Sequence, residues 1–214
     1  CERLGADWSE IAPSLRLDAR IGPKAYLAPG LGISGGNLER DLATVCRLGE
    51  ANDCDTRVVD SFRGLSAYAK DWTWRVMEDH VLNGIENPRI AVLGLAYKEN
   101  THSTKNSPAL VLLGHLKGHE VCVFDPVASA SAAPQATSAT SALAACAGAH
   151  VTVVATPWPE FSELDPKALA GTMNGTTVID PYAMLDGTAV TAAGLTHHTL
   201  GRPPVHPAQS AAVG

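Results

Sequence analysis

The 214 residues carry 22 acidic against 16 basic side chains, a net charge of −6, with 45% hydrophobic content. That content supports a packed core in one large or two small domains, and an acidic balance without a basic cluster excludes a nucleic-acid surface. No apolar run reaches the roughly 20 residues that cross a bilayer, so no membrane partner is expected and small molecules or proteins remain. The chain does not begin with Met, and Cys1-Glu-Arg-Leu-Gly-Ala-Asp-Trp8 reads as the end of a helix already under way. It is therefore expected to be a fragment lacking its N-terminal part, with that helix stopped by Pro13.

A long irregular stretch follows up to Asn37, with Gly22, Pro23, Pro29 and further glycines, and its length marks it as a functional loop. At Gly30-Leu-Gly-Ile-Ser-Gly35 several unshielded backbone N–H groups can face one ligand just before a helix start, a corner suited to an anion or a sugar. The spacing matches GxGxxG, but no hydrophobic strand precedes it, so a dinucleotide fingerprint is not read here. A helix is predicted over 38–51, with Leu38, Leu42, Val45 and Leu48 on one buried face, broken by Asn52-Asp53. One long helix is predicted over 55–82, spanning roughly 40 Å, with Val58, Phe62, Leu65, Ala69, Trp72 and Val76 on a single seam. That seam can pack inside the chain or pair two subunits.

The composition changes near 84–88, where the domain boundary is placed. Strands at 89–94, 120–124, 151–155 and 177–180 alternate with a helix at 108–117, and their apolar runs suit a parallel, helix-flanked sheet buried on both faces. In the loop 94–107, Lys98 and Lys105 lead to a helix with Ser107 at its N-cap and Pro108 at its first position. Beyond the carboxyl end of a strand this is an anion site, or else two solvated lysines on an exposed loop. The Ala/Ser/Thr run 128–142 reads as a loose loop into a short helix, His197-His198 as a surface pair, and the tail from Arg202 as poorly ordered. Cys1, Cys46, Cys54, Cys122 and Cys146 lack CxxC spacing and read as free thiols of a reducing cytoplasm; the histidines lack metal-ligand spacing, so no metal is expected.

Asp18-Ala-Arg-Ile-Gly-Pro-Lys24 together with the glycine loop resembles the middle of the UDP-glucose/GDP-mannose dehydrogenase family, whose pattern is close to D-x-R-I-G-P-K-F-L-x-P-G-x-G-F-G-G-S-C-x-x-K-D. Anchored on Asp41, the match runs without a gap back to Pro29. The loop 94–109 resembles the family's G-L-A-F-K-x-x-T-x-D-x-R-E-S-P-A at Gly94, Leu95, Ala96, Lys98, Thr101, Ser107, Pro108 and Ala109. Asp125-Pro126, Thr156-Pro157 and Gly201-Arg202 fall in the family's order. The resemblance implies a helical central and dimerisation segment (1–84), a Rossmann-like nucleotide-sugar-binding domain (85–203) and a tail (204–214).

By the same resemblance, Tyr97 and Lys98 contact the nucleotide diphosphate, and the backbone of Ala28, Pro29, Gly30, Leu31, Gly32, Ile33 and Ser34 lines the sugar. Arg20 reaches the substrate of a neighbouring subunit, so a homodimer through helix 55–82 is implied. Lys105 and Arg40 stand where the family contacts NAD, Lys105 keeping the charge of an arginine but not its fork. Asp41 keeps the family carboxylate that orients or activates water; alternatively it stabilises the first turn of its helix. Two departures bear on mechanism. The family's nucleophilic cysteine falls on Asn37, whose amide forms no covalent adduct, and its Asp-Gly-Arg reads Asp180-Pro-Tyr182. The function implied is NAD-dependent oxidation of a nucleotide hexose at C6, with a UDP-hexose favoured and the aldehyde as end point; the other reading is a non-catalytic nucleotide-sugar-binding relative.

Overall fold

The computed structural model describes residues 1–208. It opens with a 3-10 turn, Glu2–Leu4, ended by Gly5 in left-handed conformation, where the end of a longer helix was expected. Helix α1 (Trp8–Arg16) then runs straight through Pro13, which was expected to stop it. Proline removes one ladder hydrogen bond, but this nine-residue helix is anchored elsewhere. The Asp7 side chain caps Ser9 N–H at 2.7 Å, and Trp8 donates its backbone N–H to Gly201 O (2.9 Å) and its indole N–H to Leu27 O (2.6 Å).

Helix α2 (Asn37–Glu50) forms where the periodicity places it, yet none of its residues is buried. Leu38, Val45 and Leu48, read as a buried face, are each about half exposed. The single helix expected over 55–82 is divided into α3 (Arg57–Lys70), α4 (Trp72–Met77) and a π-turn (Glu78–Leu82). The break lies at Asp71, whose carboxylate is 3.0 Å from His115 Nε2, while Trp74 stacks on the same imidazole at 5.1 Å. These contacts draw α4 into the core through Trp72 and Met77. The α3 half of the seam, Val58, Phe62 and Leu65, stays on the surface.

After 83–88 comes a six-stranded parallel sheet of order β3-β2-β1-β4-β5-β6, in which β1 is Arg89–Leu93, β2 Glu120–Phe124, β3 Thr137–Ser138, β4 Val151–Val154, β5 Thr177–Ile179 and β6 Thr196–His198. The fold is thus the α/β class expected. Ile90 pairs with Val121 on one side and Val151 on the other, and Ile90 through Leu93 and the whole of β4 are buried, as strands covered on both faces must be. Helix α5 (Pro108–His115) packs with α4, while α6 (Ala142–Ala145), α7 (Pro166–Thr172) and α8 (Gly187–Ala192) form a second group.

Three expectations fail in whole or in part in this half. The run 128–142 does lead into the short helix α6, but it is not a plain loop: it holds a 3-10 turn and the edge strand β3, whose two residues are too few to leave a periodic signal. His197 and His198 are not a surface pair: they lie in β6 at 1% and 5% exposure, with His197 Nε2 3.4 Å from the buried Asp180 carboxylate. Burial, foremost, and the facing His80 push the His198 imidazole down to about 4, so it is neutral. The tail is held at Val205, which exchanges backbone hydrogen bonds with His197 (2.8 and 2.9 Å); residues 209–214 lie outside the described residues.

Candidate functional site

In an open parallel sheet, ligands bind beyond the carboxyl ends of the strands where the strand order reverses. Here that point lies between β1 and β4. Strand β1 ends at Gly94, held at φ 98°, where an added Cβ would run into Thr156 just after β4. Thr156 Oγ1 donates to Ala96 O at 2.7 Å, so the two loops leave the sheet as one unit.

Asp125, at the end of β2, ties down the same loop. Its Oδ2 accepts the N–H groups of Leu95 (2.6 Å) and Ala96 (2.9 Å) and the Trp158 indole (3.2 Å), and its Oδ1 those of Val127 (2.8 Å) and Ala128 (2.6 Å). In a dinucleotide-binding half an acid follows the second strand to bind ribose; both oxygens of Asp125 are already committed to the protein. Burial opposes its ionisation, yet the backbone donors outweigh burial and hold the carboxyl below its ordinary 3.8. A depressed value stabilises the fold above that ordinary value, and the contribution disappears as pH falls through the folded one. Asp125→Asn is therefore expected to cost about 2 kcal/mol at pH 7, and markedly less near pH 2. Urea unfolding at both pH values checks this; an equal loss at both would show that charge is not involved.

A cleft of about 930 Å³ opens above β1, β4, β5 and β6. One wall is the N-terminal part of the chain: Trp8, Arg16, Tyr26 and the glycine loop at Ala28, Pro29, Gly30, Leu31, Gly32 and Ser34. Facing it are Tyr97, Lys98, Pro157, Tyr182, Thr199 and Arg202. The walls are joined at the back, where Ser34 Oγ donates to Tyr97 O (3.2 Å) and Gly35 N–H to Lys105 O (3.1 Å). Gly32, at φ 75°, packs so close to α3 that a Cβ would collide with Ser66 O. Arg16, Lys98 and Arg202 give the cleft three cations against Asp7 and Glu99. Burial pushes the Tyr182 phenol far above its usual value, leaving a neutral donor where the family pattern has arginine.

Eight of the residues singled out in the sequence thus converge: Ala28, Pro29, Gly30, Leu31, Gly32, Ser34, Tyr97 and Lys98. Ile33 turns away from the cleft. Arg20 lies outside it, 89% exposed and paired with its own neighbour Asp18 at 2.6 Å. Asn37 opens α2 on the surface, and Arg40 and Asp41 form an exposed pair at 3.3 Å one turn on. Lys105 joins this second group, for a Cβ on Gly36, the residue before Asn37, would meet its Nζ at 2.7 Å. Trp8, Arg16, Tyr26, Tyr182 and Arg202 were not singled out as site residues. The family motifs that include Tyr182 and Arg202 could have pointed to them, while Trp8 and Arg16 carry no local signal.

Sequence models of the UDP-glucose/GDP-mannose dehydrogenase family match the chain twice, its central domain at residues 1–66 and its UDP-binding domain at residues 91–187. UDP-glucose 6-dehydrogenase TuaD of Bacillus subtilis is 29% identical over 212 residues, covering 96% of this chain and 45% of that protein. The Haloferax volcanii UDP-glucose 6-dehydrogenase AglM is 32% identical over 170 residues, 77% of this chain and 39% of that one. The chain therefore spans less than half the length of these curated relatives. Among solved structures, a UDP-glucose dehydrogenase from Pyrobaculum islandicum superposes with a TM-score of 0.79 at 25% identity, over 94% of this chain and 45% of the other.

Proposed function

The chain belongs to the UDP-glucose/GDP-mannose dehydrogenase family, and from that membership we propose that it holds the nucleotide-sugar site of an NAD-dependent oxidoreductase acting at C6 of a UDP-hexose. The observation that carries this is the cleft itself. The two loops bearing the family patterns, 28–34 and 97–98, form its opposite walls beyond the strand ends. Lys98 takes the diphosphate and the glycine-loop backbone the sugar.

The surface group around α2 fits a dinucleotide pyrophosphate. Lys105 lies over Gly36 at a helix N-terminus that no side chain caps among the described residues, with Arg40 one turn further, and a side chain on Gly36 would fill that cradle. Arg40 and Lys105 would hold NAD there, and the cofactor supplies the hydride acceptor. With the sugar extending past Ser34 toward this second group, Asn37 would donate its amide N–H to the C6 oxygen, and Asp41 would orient the water that takes up the hydroxyl proton. With no thiol at position 37, the aldehyde is not captured and oxidation ends after one hydride. NADH formed per UDP-glucose consumed, measured on the full-length gene product, tests this: one per sugar is expected, and two would overturn it. Asn37 equally favours a binding relative without turnover; no NADH with UDP-glucose still bound would establish that reading.

The exposed seam of α3 supports a homodimer, with 1–84 as dimerisation segment, 85–203 as nucleotide-sugar domain and 204–214 as tail. Phe62 is half exposed at the middle of that seam, between Val58 and Leu65. Phe62→Glu is expected to shift sedimentation from dimer to monomer, weakening association by roughly two orders of magnitude or more; an unchanged dimer would place the interface elsewhere. Five free cysteines support a reducing cytoplasm.

A further inference from the structure

Behind the glycine loop lies a partly buried polar cluster, centred on a buried lysine, that no resemblance assigns. Lys70, the last residue of α3, is 7% exposed. Its ammonium donates to Glu39 Oε1 in the first turn of α2 (2.9 Å) and to Asn106 Oδ1 in the loop before α5 (2.6 Å). The Asn106 amide donates in turn to Glu39 Oε2 (2.6 Å) and to Ile33 O (3.3 Å). A buried ammonium without partners costs several kcal/mol, so Lys70 depends on Glu39 and Asn106. The bond from Lys70 holds the Glu39 carboxyl below its usual range.

The contact with Ile33 gives the cluster its significance. Gly32 and Ser34 line the cleft and Ile33 between them does not. Both polar groups of its backbone are engaged from the rear: its N–H donates to Ser66 Oγ (2.8 Å) and its carbonyl accepts from Asn106. The peptide planes flanking Ile33 are the ones that present Gly32 and Ser34 to a ligand. Their orientation is therefore set from α2, α3 and the loop carrying Lys98 and Lys105.

We propose that Lys70, Glu39 and Asn106 are positioning residues that preorganise the glycine loop for the sugar of the nucleotide sugar. This rests on the reading that loop 28–34 faces the sugar and Lys98 the diphosphate. A loop held in its bound conformation spares the ligand the ordering cost, so loss of the cluster weakens sugar recognition and leaves diphosphate recognition in place.

Asn106 stands at φ 55°, a conformation glycine adopts freely, so Asn106→Gly removes the side chain without straining the backbone. UDP and UDP-glucose binding are measured by calorimetry for the unaltered protein, Asn106→Gly and Lys70→Met, with amide hydrogen exchange over residues 31–36. The expected result is about tenfold weaker UDP-glucose binding in both variants, UDP binding within about twofold, and faster loop exchange. Equal losses for both ligands, or no change for either, would overturn the proposal while leaving the proposed function standing. Failure of the unaltered protein to bind either ligand would overturn both.

Discussion

Gly94→Ala is expected to destabilise the chain by roughly 3–5 kcal/mol, lowering its thermal midpoint by about 10 °C. The backbone there is at φ 98°, outside the regions open to an L side chain, and the added methyl would fall on Thr156 Cβ and lie 2.7 Å from its backbone N. Neither neighbour can yield. Gly94 N–H is bound to Phe124 O at 2.7 Å, and Thr156 is fixed by its own bond to Ala96 O. Relief must come from separating the loops after β1 and β4, the floor of the cleft, so UDP binding should fall together with stability. Differential scanning fluorimetry with and without UDP measures both. A midpoint within about 2 °C of the unaltered chain would show that the two strand ends are not in contact.

Lys98→Ala is expected to weaken UDP binding about a hundredfold without lowering stability, because the ammonium is exposed at the cleft wall and its loss leaves no buried group unpaired. Its Nζ lies 5.8 Å from the Tyr97 ring and forms no ion pair among the described residues, so none of these has to be broken before a phosphate is engaged. Calorimetry at two salt concentrations would show a shallower salt dependence in the variant, one charge contact having been removed. A loss of twofold or less would assign the diphosphate to Arg16 and Arg202, the other cations of the cleft.

The contrast between these residues shows which parts of the site could be read in advance. Lys98 follows a strand that announces itself by four consecutive buried apolar residues, and it precedes a helix marked by Ser107 and Pro108. Strand, loop and helix are consecutive in the chain, so local pattern suffices. Arg16 and Trp8 reach the same cleft from about ninety residues away, held by Trp8 to Leu27 O and by Arg16 Nε to Ala25 O (3.3 Å). Such contacts leave no periodic or motif signal. The cluster of Glu39, Lys70 and Asn106 escaped for the same reason: each reads alone as an ordinary surface residue, and only packing brings them together and buries Lys70.

The sequence by itself determined the α/β class, the buried central strands, the glycine loop before α2 and the family to which the chain belongs. It also determined that position 37 carries an amide instead of a thiol. These are properties of residue type and short-range order, set by periodicity, backbone conformation and side-chain chemistry. The tertiary structure decided that the run 55–82 breaks at Asp71, that Pro13 lies within a helix, that His197 and His198 are buried, and that the apolar faces of α2 and α3 stay open. Each of these is a competition between a local preference worth about 1 kcal/mol, or about 3 kcal/mol for the proline, and contacts brought by distant segments. Asp71 finds His115, Trp8 finds Gly201 and His197 finds Asp180, and in each case the distant partner prevails.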